Sequence, residues 1–297
     1  MAILIIFTVA AIAIAYVFAG KKKEGNTSTN DAVEFADSWR TILLQKVDFY
    51  QLLDAAGRKR FEEDVVRFLS QVKVTGVNTD VDITDRLLVA SSAVIPVFGF
   101  PDWDYTFLDE VLLYPGLFDE KYEVESKEGS FISGMVGSGA MEGKMILSKP
   151  SLHLGFDNTS DKKNVGIHEF IHLLDKEDGS IDGVPMIMNN KSYARPWLNL
   201  TRKKIAAMMA GHEEGKDINP YGATNEQEFL AVTAEYFFER PHLLQKNHPE
   251  LYNLLAKAFN QDMTARLKAG ASTKVKLGRN SICLCGSGKK YKDCCGK

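Results

Sequence analysis

No cysteine occurs before Cys283 in this chain of 297 residues, and all four lie within the last fifteen positions. A disulfide-built extracellular scaffold is therefore excluded for the body of the protein, and a reducing compartment is expected. Charge of one sign is also scarce: 36 Lys and Arg stand against 39 Asp and Glu, a formal net charge of −3. No global field draws the chain to nucleic acid. Internal repeats are absent too. With 45% hydrophobic and 25% charged residues, the chain is not disordered and has material for a full-sized core.

One stretch lacks charge altogether. Ala2 to Gly20 reads AILIIFTVAAIAIAYVFAG, and as a helix rising ~1.5 Å per residue it reaches roughly across a ~30 Å hydrocarbon layer. A secretory signal carries its positive charge before the apolar run; here Lys21, Lys22 and Lys23 follow it, which reads as an anchor. The positive-inside rule then puts everything after Lys23 in the cytosol. The expected layout is a transmembrane anchor at 1–20, a linker at 21–31, one large domain at 32–268, a linker at 269–280 and a small cysteine-bearing motif at 281–297.

The central part mixes periods. Leu43, Leu44, Val47, Tyr50, Leu52 and Leu53, then Phe61, Val65, Val66 and Leu69, fall at helical spacings. DRLLVASSAVIPVFGF (85–100) reads as a nearly all-apolar helix ending at Pro96 to Gly99. EVLLYPG, YEVES and GKMILSK (143–149) read as strands, the last preceded by a glycine-rich loop GMVGSGAMEG. PELYNLLAKAFNQDMTARLK (249–268) reads as one closing helix with Pro at its start. The fold class is α+β.

The chemistry begins at NVGIHEFIHLLDKEDG (164–179). Helix residues four apart stack on one face, so His168 and His172 can present ring nitrogens to one ion, with Glu169 reaching the attacking water. Asn164, His168, His172 and Asp175 form a single polar stripe on an otherwise apolar, hence buried, helix. A divalent cation satisfies groups whose burial unpaired costs several kcal/mol. Two imidazoles and a carboxylate with an open fourth position describe a hydrolytic zinc site more than a closed structural one.

The third ligand is expected from YGATNEQEFLAVTAEYFFERP (221–241), a helix capped by Thr224 or Asn225 and stopped at Pro241. Glu228 and Glu235 lie two turns apart on one face with small Ala231 between them, and spacing does not choose between them. The carboxylate left over, or Asp175, would orient a ligand imidazole.

HEFIHLLDKEDGSIDGVP (168–185), GFPDWDYTFLDEVLLYPGLF (99–118), GKMILS (143–148) and PYGATNEQEFLAVTAEYFFERP (220–241) resemble the family of Mlc titration factor A, the glucose-regulated zinc peptidases, over roughly residues 35–265. The resemblance implies a zincin-like domain whose third ligand lies seven residues after the tyrosine of a YG pair, which selects Tyr221 and Glu228. It implies that Tyr221 offers its hydroxyl to the oxyanion, as a preorganised donor, and that Gly143 to Ser148 is the edge strand on which a peptide lies. It also leaves a second function class: a regulatory protein that captures a partner such as a transcriptional repressor while hydrolysing little.

The tail RNSICLCGSGKKYKDCCGK (279–297) sets Cys283 and Cys285 eight residues from Cys294 and Cys295. Four thiolates so spaced close around one structural zinc, and seventeen residues have no core without it. The pattern resembles the SEC-C motif, with Leu284 where proline is usual. Its lysines, with Lys274, Lys276 and Arg279 upstream, suit an acidic protein partner better than RNA.

Overall fold

The computed structural model describes residues 34–119, 121–124, 131–184, 191–212, 215–273, 279–280 and 288–293. The chain divides into two units, Met1–Val33 and Glu34–Lys297. The expected membrane anchor lies in the first, outside the described residues, as do Cys283, Cys285, Cys294 and Cys295. Among the described residues no helix is long and apolar enough to cross a membrane.

Glu34–Lys297 is α+β, with helices dominating a four-stranded sheet. Helices α1 (Asp37–Lys46), α2 (Asp48–Gln51) and α3 (Ala55–Gln71) lead into β1 (Lys73–Gly76) and α4 (Ile83–Val97). Then come β2 (Glu110–Tyr114), β3 (Gly134–Val136), β4 (Lys144–Ser148), α5 (Lys149–Asp157), α6 (Val165–Lys176) and α7 (Lys191–Met209). A 3-10 turn at Pro220–Ala223 precedes α8 (Glu226–Glu239), α9 (Pro241–Asn247), α10 (Pro249–Ala258) and α11 (Met263–Thr273).

The mostly apolar α4 is the central pillar. Asp82 and Asp85 close its start with a reciprocal capping box, and every residue from Leu87 to Val97 is buried. It packs against α6, and the approach is so close that a Cβ on Gly166 would stand 2.1 Å from the Ser92 hydroxyl. The strand order is β1-β2-β4-β3, with β1, β2 and β4 parallel and β3 antiparallel to β4.

Four expectations change. The stretch read as a glycine-rich loop contains β3, whose Met135 pairs with Ile146. The 143–148 segment is not an edge: β4 has β2 on one side and β3 on the other, so among the described residues the edge strands are β1 and β3, with Ile132 just before β3 bridged to Phe118. Tyr122 to Val124 is a turn rather than a strand, held by the Asp119 carboxylate accepting the N–H groups of Lys121 and Glu123. The closing helix is two helices. Asn260 takes a positive φ of 49°, and the Asp262 carboxylate accepts the Ala265 N–H at 2.9 Å to start α11.

Candidate metal centre

Helix α6 starts at Asn164, whose side-chain oxygen accepts the Ile167 N–H at 3.1 Å. Its apolar face, Ile167, Phe170, Ile171, Leu173 and Leu174, is buried. That burial fixes the rotation of the helix, so His168 and His172 emerge together on the opposite side, their side chains 13% and 14% exposed. Helix α8 starts at Asn225 rather than Thr224: the Asn225 side chain accepts the Glu228 N–H at 2.8 Å. Phe229 to Phe238 are all buried, which presses the carboxylates of α8 towards α6. Pro241 does not simply stop α8; it occupies the first turn of α9.

The ligand atoms converge. His168 Nε2 lies 3.1 Å from Glu228 Oε2 and 3.2 Å from His172 Nε2, and His172 Nε2 lies 3.6 Å from the same Glu228 oxygen. Ligand atoms on a tetrahedral zinc with bonds of ~2.0–2.1 Å stand ~3.3 Å apart, so the spacings bracket the required geometry. The donor chemistry agrees. The Nδ1–H of His168 is donated to Glu235 Oε1 at 2.8 Å, so Nε2 is the nitrogen that would offer a lone pair once a cation replaces its proton.

The electrostatics favour a cation. Burial works against a charged His168, but Glu235, Glu228 and Glu169 outweigh it and hold its pKa well above the ordinary imidazole value. Burial likewise opposes the charged Glu228, yet the hydrogen bonds and charges of His168 and His172 bring its pKa down to about 2. Glu228 thus offers an ionised carboxylate well above pH 2.

Glu235 and Asp175 separate cleanly. Glu235 accepts from His168 with one oxygen and from the Asn164 N–H with the other, so it orients the imidazole and fixes the start of the same helix. Asp175 is fully buried, and its Oδ2 accepts the Gly183 N–H at 2.8 Å. Trp197 donates its indole N–H to the Gly183 carbonyl at 2.7 Å. Asp175 therefore secures the turn after α6, which explains the DG pairs of that segment, and burial pushes its carboxyl up to about 6.

Glu169 is buried on the next position of α6, and burial raises its pKa above the usual carboxylate value. Its neighbour is the β3 edge of the sheet: a Cβ on Gly134 would stand 2.6 Å from the Glu169 Cγ and Oε1. The sequence alone did not show that contact, because Gly134 and Glu169 meet only through the fold. Tyr221 is 54% exposed and its ring lies 6.1 Å from that of His168. Burial, then the Glu228 and Glu169 charges, raise the Tyr221 pKa, which keeps the phenol a donor. These groups open into a cleft of 630 Å³ whose walls include Phe131, Ser133, Gly134, Leu154, Val165 and Val232.

A model of the glucose-regulated metallo-peptidase M90 family matches residues 21–260. The chain belongs to the M90 family. A SEC-C motif model matches residues 279–297. An uncharacterized protein of Synechocystis sp. is 33% identical over 230 residues, 74% of this M90 chain and 82% of its own length. Proteins named Mlc titration factor A from Pectobacterium atrosepticum and Serratia proteamaculans are each 32% identical over 169 residues, 54% of this chain. The M90 chain spans 62% and 63% of those two relatives, respectively. All of His168, Glu169, His172, Tyr221, Glu228 and Glu235 fall inside the M90 match.

Proposed function

We propose that this protein is a zinc-dependent peptidase of zincin type. The observation that carries the reading is the convergence of His168 Nε2, His172 Nε2 and one Glu228 oxygen within 3.6 Å of one another, beside a buried Glu169 and an open cleft. His168, His172 and Glu228 would hold the zinc, which would activate a water and polarise the scissile carbonyl. The chain supplies the rest. Glu169, its carboxyl raised by burial, takes the proton of the attacking water and gives it to the leaving amine. Tyr221, still protonated, donates to the oxygen on which charge develops. Glu235 holds the His168 ring in one tautomer and one orientation.

The β3 edge offers a place for the peptide. Met135 and Ile146 face each other with Ser133 O accepting from Ser148 N at 2.8 Å and Gly137 N donating to Lys144 O at 2.8 Å. In an antiparallel ladder of that phase the N–H and C=O groups of Gly134 and Val136 point away from β4. An extended substrate can pair with them, giving affinity through backbone and selectivity through the cleft walls.

Glu169→Gln tests the reading. Zinc content per chain stays as in the wild type, while turnover of chromogenic amino-acid anilides falls by at least ~100-fold; normal turnover removes Glu169 from the chemistry. The name carried by the Pectobacterium and Serratia relatives supports a second role, capture of a regulatory protein. Capture needs no general base, so a Glu169→Gln protein that binds its partner normally while the wild type hydrolyses nothing favours that role.

Two further parts belong to the same proposal. Ala2–Gly20 followed by Lys21–Lys23 supports tethering of the peptidase at the cytoplasmic face of the membrane, and the M90 match begins at residue 21, just past the apolar run. Carbonate-resistant sedimentation with membranes is expected, and loss of residues 1–20 releases the protein. The SEC-C match supports a structural zinc on Cys283, Cys285, Cys294 and Cys295 and a protein partner for the basic tail.

A further inference from the structure

Beyond the Glu228 carboxylate near its hydroxyl and the His168 ring, Tyr221 has little of its own to hold it. Its ring is more than half exposed, so the place of its hydroxyl is set by the backbone that carries it. That backbone belongs to an irregular stretch between α7 and α8, and its anchor is Asp217. The Asp217 carboxylate accepts the Nε2–H of His248 at 2.6 Å on one oxygen. Its other oxygen accepts the hydroxyl of Tyr236 at 2.6 Å and the Asn247 side-chain N–H at 2.8 Å. Lys162 donates to the Asp217 carbonyl, and its ammonium sits 4.6 Å from the Tyr236 ring centre.

These partners tie the stretch to α8, to the chain just before α6 and to the α9–α10 junction. Tyr236 follows Glu235 on α8; Lys162 stands two residues before Asn164, the cap of α6; Asn247 and His248 join α9 to α10. Between Asp217 and Tyr221 the chain has almost no freedom. Ile218 is 2% exposed in the core, Asn219 accepts the N–H groups of Tyr221 at 3.1 Å and Gly222 at 3.0 Å, and the ring of Pro220 fixes its φ. We propose that Asp217 is a positioning residue, which holds the Tyr221 hydroxyl in register with the metal centre. The proposal rests on the peptidase reading above. Burial opposes the Asp217 charge, but the donors Asn247, Tyr236 and His248 hold its pKa down to about 2, so the acceptor is ionised across the working range.

The test uses the full-length, zinc-loaded protein as Asp217→Asn, Tyr221→Phe and the double variant, assayed on an amino-acid anilide. Asparagine turns one acceptor into an N–H donor facing donors, which loosens the network without removing volume. The expected result is kcat lowered by roughly tenfold with KM within about twofold, zinc per chain unchanged, and a double variant no slower than Tyr221→Phe alone. Unchanged kcat in Asp217→Asn, or losses that multiply in the double variant, overturn the proposal. If Asp217→Asn does not fold, Tyr236→Phe removes one of the three donors; kcat about threefold down, with the same non-additivity, is expected, and additivity overturns it. A wild type without hydrolysis sinks the peptidase reading instead. Positioning is then read from hydrogen exchange: amides of residues 221–224 at least ~10-fold faster in Asp217→Asn, with α8 amides unchanged, sustain it, and equal exchange overturns it.

Discussion

A single imidazole shows how few groups decide the chemistry. His168 Nδ1 donates to Glu235, and the Glu235 carboxylate spends its second oxygen on the Asn164 N–H, so one side chain sets both the tautomer of a ligand and the start of the helix that carries it. Glu235→Gln is expected to lower zinc affinity roughly 10–100-fold, measured by competition with a chromophoric chelator; an unchanged affinity shows that the ring is oriented by something else. Gly134 is the steric counterpart. A methyl group there would overlap Glu169 and Val165, so Gly134→Ala should cost about 1–3 kcal/mol of stability by overpacking. It should also lower kcat by at least ~10-fold through displaced geometry. Zinc content should not change, because Gly134 touches no ligand, and a variant with normal kcat would mean that the β3 edge does not constrain the base.

At the scale of elements the site is two helices, α6 and α8, locked face to face. Each begins at an asparagine whose side chain satisfies an orphan N–H within a turn of a functional residue. Asn225→Ala is expected to cost ~1 kcal/mol in urea denaturation and to weaken zinc binding, since the N–H it frees is that of Glu228 itself. A stability loss with zinc affinity intact would place the cap outside the site's design. These helices were legible in the sequence because their chemistry repeats at the helical period: His168 and His172 at i and i+4, Glu228 and Glu235 at i and i+7. The choice of Glu228 as ligand came from resemblance, since both glutamates share a face. Strand β3 was not legible. Three residues in a glycine-rich stretch carry no alternation, and their pairing is decided by β4, which is met only in three dimensions. The same holds for the sheet order that moved the edge from β4 to β3. The break between α10 and α11 stayed hidden because apolar periodicity continues across Asn260, while the signal, Asp262 as a cap, reads equally as a surface acid.

The whole molecule carries opposed carboxylates whose burial makes stability depend on pH. Asp217 is depressed to about 2 by its donors, so its contribution is present above the ordinary value near 3.8 and is lost as pH falls towards 2. Glu239, one turn beyond Glu235 on α8, is the reverse. Its oxygens make no well-formed hydrogen bond among the described residues, and burial, reinforced by the Glu235 and Asp161 charges and only partly offset by the Lys163 N–H and Asn164 side chain, pushes it up to about 9 from 4.5. Between those values the folded chain holds a proton that the unfolded chain has released. Stability must therefore be highest, for this group, below its unfolded pKa and must fall as pH rises through the folded one. Glu239→Gln keeps the shape of the neutral acid and has no proton to lose. Zinc-loaded wild type should lose up to about 4 kcal/mol more than Glu239→Gln between pH 5.5 and 8.5, read as the difference of urea midpoints at the two pH values. The comparison cancels Asp175 and the centre itself, which titrate alike in both proteins. The acid limb near pH 2 to 4, set by groups such as Asp217, should superimpose. Parallel alkaline limbs would show that Glu239 is ionised in the folded protein and that the buried end of α8 finds a partner for its charge.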